Sequence, residues 1–159
     1  MPDAASIMTR AVVVINPDTT VAQAAKILAQ NAISGAPVTD ASGRLIGMIS
    51  EEDLMRPFTA TNEKRRAWWL QILAEGDDLA PEFVDYLRHD RKQVRDLMQA
   101  DVLSAPPTAS LAEIADIITR HHVKRVPIVD SGRLAGIVSR ADLVRAMAEA
   151  PEAFGKVEV

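Results

Sequence analysis

Two stretches of the chain show the same order of hydrophobic and polar positions. Each begins with a short β-branched run, residues 12–15 or 102–103, that ends before proline. A helical pattern follows, with apolar residues at helical spacing: Val21, Ala24, Ala25 and Leu28 in the first stretch, and Leu111, Ile114, Ala115 and Ile118 in the second. Each helix is predicted to open with a capping box: Thr20 with Gln23, and Ser110 with Glu113.

Two strands and a second helix are predicted to complete each stretch. The strands cover residues 36–39 and 45–50 in the first stretch, and 126–129 and 134–139 in the second. The turns between them hold Gly43 or Gly132, which predicts two hairpins. The second helix begins at Ser50 or Ser139. Both stretches therefore have the order β-α-β-β-α.

The second stretch is a copy of the first. Identical residues pair along its length: Met8 with Met98, Pro17 with Pro107, Pro37 with Pro127, and Asp40 with Asp130. Deleting one residue near Ser42 extends the alignment, so that Ser50 and Asp53 meet Ser139 and Asp142. About a third of roughly fifty aligned positions are identical, which indicates an internal repeat. Because one copy alone buries little apolar surface, we expect an α/β fold in which the two copies pack together.

Composition and charge narrow the class of protein. The chain has 159 residues, of which 48% are apolar and 25% charged, which is typical of a globular protein. A net charge of -4 argues against a general attraction to nucleic acid or anionic membranes. The absence of cysteine excludes disulfides, thiolate metal sites and cysteine nucleophiles. With no leader-like or membrane-spanning stretch, we expect a cytoplasmic protein.

The sequence contains none of the usual catalytic motifs. It has no phosphate-binding glycine loop, no nucleophile elbow and no metalloprotease helix. His121 and His122 are adjacent, so they cannot meet on one helix face, and we interpret them as polar residues at a helix end. The sequence therefore predicts neither an enzyme nor a metal site.

Ser50 with Asp53, and Ser139 with Asp142, have two compatible interpretations. In the structural interpretation, the serine caps a helix and the aspartate lies in its first turn, where the helix dipole favours negative charge. In the functional interpretation, the same helix start with free N–H groups and a hydroxyl binds an anion, and the carboxylate accepts hydrogen bonds from ribose hydroxyls.

These residues resemble a tandem pair of CBS domains, the Bateman module, over residues 5–56 and 94–150. The resemblance rests on four segments: Ala36-Pro37-Val38, Val126-Pro127-Ile128, Gly47-Met48-Ile49-Ser50-Glu51-Glu52-Asp53 and Gly136-Ile137-Val138-Ser139-Arg140-Ala141-Asp142. It implies two repeats packed with pseudo-twofold symmetry, forming clefts that bind an adenine nucleotide. Similar bacterial proteins often carry a BON domain after the second repeat; because residues 151–159 are too few for one, we expect the chain to resemble those proteins without this domain.

The resemblance also implies the residues that contact the ligand. One cleft would combine Asp142, Ser139 and Ile137 with Val13, Ile33, Ser34 and Gly35. The other would combine Asp53, Ser50 and Met48 with Leu103, Val123, Lys124 and Arg125. Gly35 either lets the ligand approach the backbone or serves the turn before the strand.

Charge distinguishes the two predicted clefts. Lys124, Arg125 and Arg140 are the candidates for binding phosphate, and they favour a nucleotide (AMP, ADP or ATP) over a nucleoside. The family often places Ser or Thr just before the Asp, whereas this chain has Glu52 and Ala141. Because Glu52 repels phosphate, we expect occupancy at Asp142, with the Asp53 site empty or dependent on Mg²⁺, which would accompany ATP.

An insert at residues 57–93 separates the repeats. It holds five of the six aromatic residues and is predicted to form helices over 62–74 and 81–91. The neighbouring Trp68 and Trp69 either cover the core or form a surface for a protein partner or a dimer.

Two functions from different classes follow from these patterns. The first is a non-catalytic regulatory sensor of an adenine nucleotide, which forms a homodimer by resemblance and acts by conformational change or by docking a regulated protein. The alternative is a dimerisation or interaction scaffold with degenerate clefts, acting through the aromatic insert. Nucleic-acid binding is disfavoured by the acidic charge.

Overall fold

The computed structural model describes residues 2–56 and 92–155. The helices are α1 (Ala4–Ile7), α2 (Val21–Gln30), α3 (Glu51–Met55), α4 (Val94–Leu97), α5 (Leu111–His121) and α6 (Arg140–Glu149), followed by a 3-10 helix (Pro151–Phe154). The strands are β1 (Gly35–Thr39), β2 (Leu45–Ser50), β3 (Arg125–Asp130) and β4 (Arg133–Ser139). They form two two-stranded sheets, β1-β2 and β3-β4. The helices expected over 62–74 and 81–91, with Trp68 and Trp69, lie outside the described residues.

The long helices of the two repeats confirm the predicted capping boxes and apolar faces. The Thr20 hydroxyl accepts a hydrogen bond from the Gln23 N–H at 3.2 Å, and the Ser110 hydroxyl accepts one from the Glu113 N–H at 3.1 Å. The buried residues lie at the expected spacing: Val21, Ala24 and Leu28 in α2, and Leu111, Ile114 and Ile118 in α5. Local sequence thus determines where these helices begin and which face enters the core.

The first strand of each repeat is much shorter than predicted. Instead of strands over 12–15 and 102–103, the structure has single parallel bridges, from Ile15 to Val38 and from Ala105 to Ile128. Proline follows both segments and has no N–H to continue a ladder, which accounts for the early end.

Two compact units divide the chain, and each combines most of one repeat with the opening segment of the other. The first unit consists of Met1–Val13, Thr39–Ile46 and Asp101–Val159. Within it, the Ala4 N–H of α1 donates to the Ala109 carbonyl at 2.9 Å. Thr9 and Ile137 exchange backbone hydrogen bonds at 2.9 and 3.0 Å. The start of the first repeat therefore completes the fold of the second.

In the second unit, Val14–Val38 and Gly47–Ala100, the opening segment of the second repeat packs against the first repeat. The Val94 N–H of α4 donates to the Thr19 carbonyl at 2.8 Å. Gln99 and Met48 exchange backbone hydrogen bonds at 2.8 and 2.9 Å. The segment that opens the second repeat therefore lies beside β2 of the first.

The hairpin turns confirm the predicted role of glycine. Gly43 and Gly132 both have φ of 83°, a left-handed conformation that favours glycine. The Leu45 N–H donates to the Gly132 carbonyl at 3.3 Å, and the Leu134 N–H donates to the Gly43 carbonyl at 3.1 Å. The two turns, both in the first unit, are therefore joined by reciprocal hydrogen bonds.

Candidate ligand-binding site

Ser139 and Asp142 form a capping box at the start of α6. The Ser139 N–H donates to Asp142 Oδ2 at 2.8 Å, and the Asp142 N–H donates to the Ser139 hydroxyl at 3.2 Å. Among residues 2–56 and 92–155, the contact to Asp142 Oδ1 is a long one, 3.4 Å from Arg145 Nη1. One carboxylate oxygen is therefore used by the cap, while the other is weakly engaged.

Ser50 and Asp53 form the same capping box at the start of α3, but this carboxylate has more donors. Oδ2 accepts from the Ser50 N–H at 2.9 Å and from the Ser50 hydroxyl at 3.0 Å. Oδ1 accepts from Gln99 Nε2 at 3.0 Å and from the Arg56 guanidinium. Both oxygens of Asp53 are thus bound within the second unit.

The two aspartates also differ in burial, and Asp53 is the more buried of the two. The Asp53 side chain is 3% exposed and the Asp142 side chain is 12% exposed. Since Asp142 combines partial exposure with a weakly engaged oxygen, it is the better acceptor for a hydroxyl donor from outside the protein.

Both helix starts have fewer free N–H groups than the functional interpretation requires. The Arg140 N–H donates to the Lys124 carbonyl at 3.0 Å, and the Glu51 N–H donates to the Ser34 carbonyl at 2.9 Å. The N–H of each capping aspartate is already bonded to its serine. Bare helix N–H groups are therefore a minor source of anion affinity, and side-chain charge becomes the main one.

Side-chain charge differs sharply between the two helix starts. In the antiparallel β3-β4 ladder, Arg125 lies opposite Ser139, and the Lys124 carbonyl holds the Arg140 N–H. Arg140 is the first residue of α6, and the backbone of Lys124 and Arg125 lies next to it. At α3, the corresponding helix positions hold the exposed carboxylates Glu51 and Glu52. The start of α6 therefore carries basic residues where the start of α3 carries acidic ones, a difference that bears on where an anion would bind.

The remaining predicted ligand residues divide between the two units. Val13, Leu103, Val123 and Ile137 belong to the first unit, and Ile33, Ser34, Gly35 and Met48 belong to the second. Most are half-buried, Gly35 is buried and Leu103 is exposed. Lys124 and Arg125 lie next to the start of α6, in their own repeat. Ser34 lies next to the start of α3, also in its own repeat. Their assignment to clefts that mix both repeats stays a prediction.

Sequence reasoning missed Gln99, which donates to the buried Asp53. The two residues are 46 positions apart, so no local pattern connects them. The repeat alignment does contain a signal, because Gln99 pairs there with Thr9 while the flanking methionines, Met98 and Met8, are identical. The change from Thr9 to Gln99, directly after a methionine that is identical in both repeats, could have identified Gln99 as a candidate.

Residues 2–56 and 92–155 lack the features of a metal centre or a membrane span. No group of three or more His, Asp or Glu residues in these ranges could hold a metal ion. No helix in the same ranges combines the length and apolar character needed to cross a bilayer. His121 ends α5 and His122 follows it with φ of 53°, which agrees with their interpretation as helix-end residues.

Two α/β repeats in tandem, each with a hairpin leading into a Ser-x-x-Asp-capped helix, define this protein as a paired-repeat module. The model of the CBS domain family matches residues 4–59 and 94–149, and the chain belongs to this family.

Several relatives match most of this chain and most of their own length. The uncharacterized protein MJ1426 of Methanocaldococcus jannaschii is 33% identical over 147 residues, which cover 85% of each chain. The CBS domain-containing protein YhcV of Bacillus subtilis is 27% identical, over 86% of this chain and 79% of its own length. The crystal structure of CBSX2 in complex with AMP has a TM-score of 0.71 and 26% identity, covering 94% of this chain and 98% of that chain. CBSX2 is a CBS-pair protein from Arabidopsis thaliana.

Proposed function

We propose that this chain is a non-catalytic regulatory module that binds an adenine nucleotide (AMP, ADP or ATP) through Asp142. The observation that carries the proposal is a partly exposed carboxylate with one weakly engaged oxygen, in a helix that begins at Arg140 with the backbone of Lys124 and Arg125 next to it. The AMP complex of the related CBSX2 supports an adenine ligand. Signalling would follow when binding shifts the conformation of the module or its docking to a regulated protein.

The residues around Asp142 have complementary roles toward such a ligand. Asp142 Oδ1 would accept a ribose hydroxyl, and the Ser139 hydroxyl would approach a phosphate. Arg140 would supply positive charge for the phosphate groups. Lys124 and Arg125, which the family resemblance assigns to the Asp53 cleft, would instead add their charge here, because their backbone lies next to the start of α6. The family resemblance adds Ile137 and Val13, together with Ile33, Ser34 and Gly35, as the surroundings of the base. Mg²⁺ would accompany ATP because it offsets the charge of the phosphates.

The proposal predicts ligand-dependent thermal stabilisation that requires Asp142. A thermal-shift panel would compare adenosine, AMP, ADP and ATP, with and without Mg²⁺. A ligand that binds only the folded state adds about 2.7 kcal/mol at a hundredfold excess over Kd. We expect at least one nucleotide to raise the melting temperature, and Asp142→Ala to weaken its binding by at least about tenfold, the equivalent of roughly 1.4 kcal/mol.

A matched control separates the loss of a ligand contact from the loss of a surface carboxylate. Asp116 lies on a different helix, α5, where it is exposed and pairs with Arg120 at 2.8 Å. Asp116→Ala should keep the full thermal shift. If no nucleotide changes the melting temperature of well-folded protein, or if Asp142→Ala keeps the shift, the proposal is wrong.

Dimerisation is the second part of the proposed function, and the outer face of α6 favours it. Val144 and Met147 are 64% and 45% exposed and lie three residues apart, on one side of the helix. Exposed apolar side chains of this size favour a protein interface. We expect a homodimer in sedimentation equilibrium and a shift toward monomer in Val144→Glu. Ala29→Glu, at an exposed position on a different helix, α2, serves as the control, and a wild-type monomer would contradict this part.

The same exposed face of α6 is also compatible with the alternative function, an interaction scaffold. A chain that dimerises through α6 but shows no thermal shift with any nucleotide would favour a scaffold with degenerate clefts. The aromatic insert at 57–93 would then be the first region to mutate for loss of partner docking.

A further inference from the structure

Gln99 covers the Asp53 carboxylate. Its side chain is exposed, while its Nε2 donates to Oδ1 of the buried Asp53 at 3.0 Å. The backbone of Gln99 is held against Met48 by two hydrogen bonds, at 2.8 and 2.9 Å. The amide therefore reaches the carboxylate from an anchored position, at the oxygen that the serine cap leaves free.

The equivalent position in the other repeat carries a different side chain on the same backbone arrangement. Thr9 exchanges two hydrogen bonds with Ile137, as Gln99 does with Met48. Within the described residues, no hydrogen bond joins the Thr9 side chain to Asp142. Arg56 contacts Asp53 Oδ1, and its repeat counterpart Arg145 contacts Asp142 Oδ1, so an arginine contact is common to both aspartates. The donor that differs is the amide of Gln99, in the place where the other repeat has Thr9.

We propose that Gln99 closes the Asp53 position, because its amide occupies the carboxylate oxygen that a ribose hydroxyl would need. Gln99 is thereby a specificity-determining residue that leaves Asp142 as the one ligand-binding aspartate of the pair. This inference deepens the proposed function and rests on its chemistry, in which a repeat aspartate accepts a ribose hydroxyl.

The Gln99 amide would compete with a ribose hydroxyl for Asp53 Oδ1. A bound hydroxyl would have to displace a donor that is always present next to a charged acceptor, and hydrogen bonds to charged groups are the stronger class. Glu51 and Glu52 lie at the same helix start and add repulsion against phosphate. The nucleoside adenosine, which has the ribose hydroxyls without phosphate, is therefore the right probe for this position.

The test measures adenosine binding by titration calorimetry on the full chain in an Asp142→Ala background, where only the Asp53 position remains. We expect no binding with Gln99 present. In the Asp142→Ala/Gln99→Thr chain, which copies Thr9, we expect adenosine to bind at one site per chain, with a Kd at least about tenfold below the weakest that the titration detects. Adding Asp53→Asn should remove the new site.

Two further variants keep the result interpretable. Gln99→Ala removes the amide without adding a hydroxyl, and it should open the site as Gln99→Thr does, since the exposed side chain leaves the backbone pairing with Met48 in place. Gln30→Thr replaces another exposed glutamine, at the end of α2, and should change nothing.

The outcomes separate this inference from the proposed function. If neither Gln99 variant gains an adenosine site, or if the site survives Asp53→Asn, the closure by Gln99 is wrong, whatever Asp142 binds. If the variants gain the site while chains carrying Asp142 bind no nucleotide, the closure stands and the role of Asp142 fails. Adenosine binding to the Asp142→Ala chain with Gln99 intact would also overturn the closure.

Discussion

Asp53→Ala is expected to lower the free energy of unfolding by about 2–4 kcal/mol, because it removes a buried charge that four donors surround. The carboxylate accepts hydrogen bonds from the Ser50 N–H, the Ser50 hydroxyl, Gln99 and Arg56. Truncation removes the cap of α3 and leaves these donors without their acceptor. Urea denaturation monitored by circular dichroism measures the change.

Asp142→Ala provides the comparison at the equivalent position. Its carboxylate makes one short bond, from the Ser139 N–H, and a long contact with Arg145, so its removal should cost about 1 kcal/mol, in the range of a lost helix cap. Equal losses in the two variants would contradict the assignment of Asp53 to structure and of Asp142 to ligand.

Gly136→Ala is expected to lower the free energy of unfolding by about 1–3 kcal/mol. A Cβ at this position would lie 2.5 Å from Met8 Sδ and 2.9 Å from the Thr9 carbonyl oxygen. The methionine side chain can move, but the Thr9 carbonyl is fixed because it accepts from the Ile137 N–H at 3.0 Å. The added methyl group would therefore push the opening segment away from β4.

The same strand offers a control for this prediction. Arg133 is exposed at the start of β4, and Arg133→Ala should change stability by no more than about 0.5 kcal/mol. Thermal and urea unfolding of both variants would measure the difference. A Gly136→Ala chain as stable as the Arg133→Ala chain would show that the close approach of Met8 and Thr9 to β4 does not occur.

Features governed by neighbouring residues could be predicted from the sequence. The capping boxes at Thr20 and Ser110, and those at Ser50 and Ser139, depend on residues three positions apart, and all four form. The glycine turns follow from the need for positive φ.

The packing of each repeat's opening segment against the other repeat could not be predicted from the sequence. Hydrophobic periodicity predicts single helices and strands, and it does not show which of them pack together. Gly47 and Gly136 were part of the motif, yet their reason lies in the distant Met98 and Met8, whose sulfur atoms would be 2.7 and 2.5 Å from an added Cβ. Matching methionines and matching glycines in the two repeats are consistent with this packing, but only the structure shows which repeat each methionine contacts.

The difference between the two aspartates could be predicted only in part. Glu52 gave a charge argument for occupancy at Asp142. The structure adds the contribution of Gln99, which depends on a contact between residues 46 positions apart. It also shows that the first N–H of each second helix is bonded to a loop carbonyl, which sequence patterns do not reveal.

The most direct test of the central claim is the stoichiometry of nucleotide binding to the full chain, measured by isothermal titration calorimetry with AMP, ADP and ATP in turn. We expect at least one of them to bind with one molecule per chain, with binding weakened at least about tenfold in Asp142→Ala and unchanged in Asp116→Ala. If none of the three binds to folded protein, or if Asp142→Ala leaves the binding intact, the central claim is wrong.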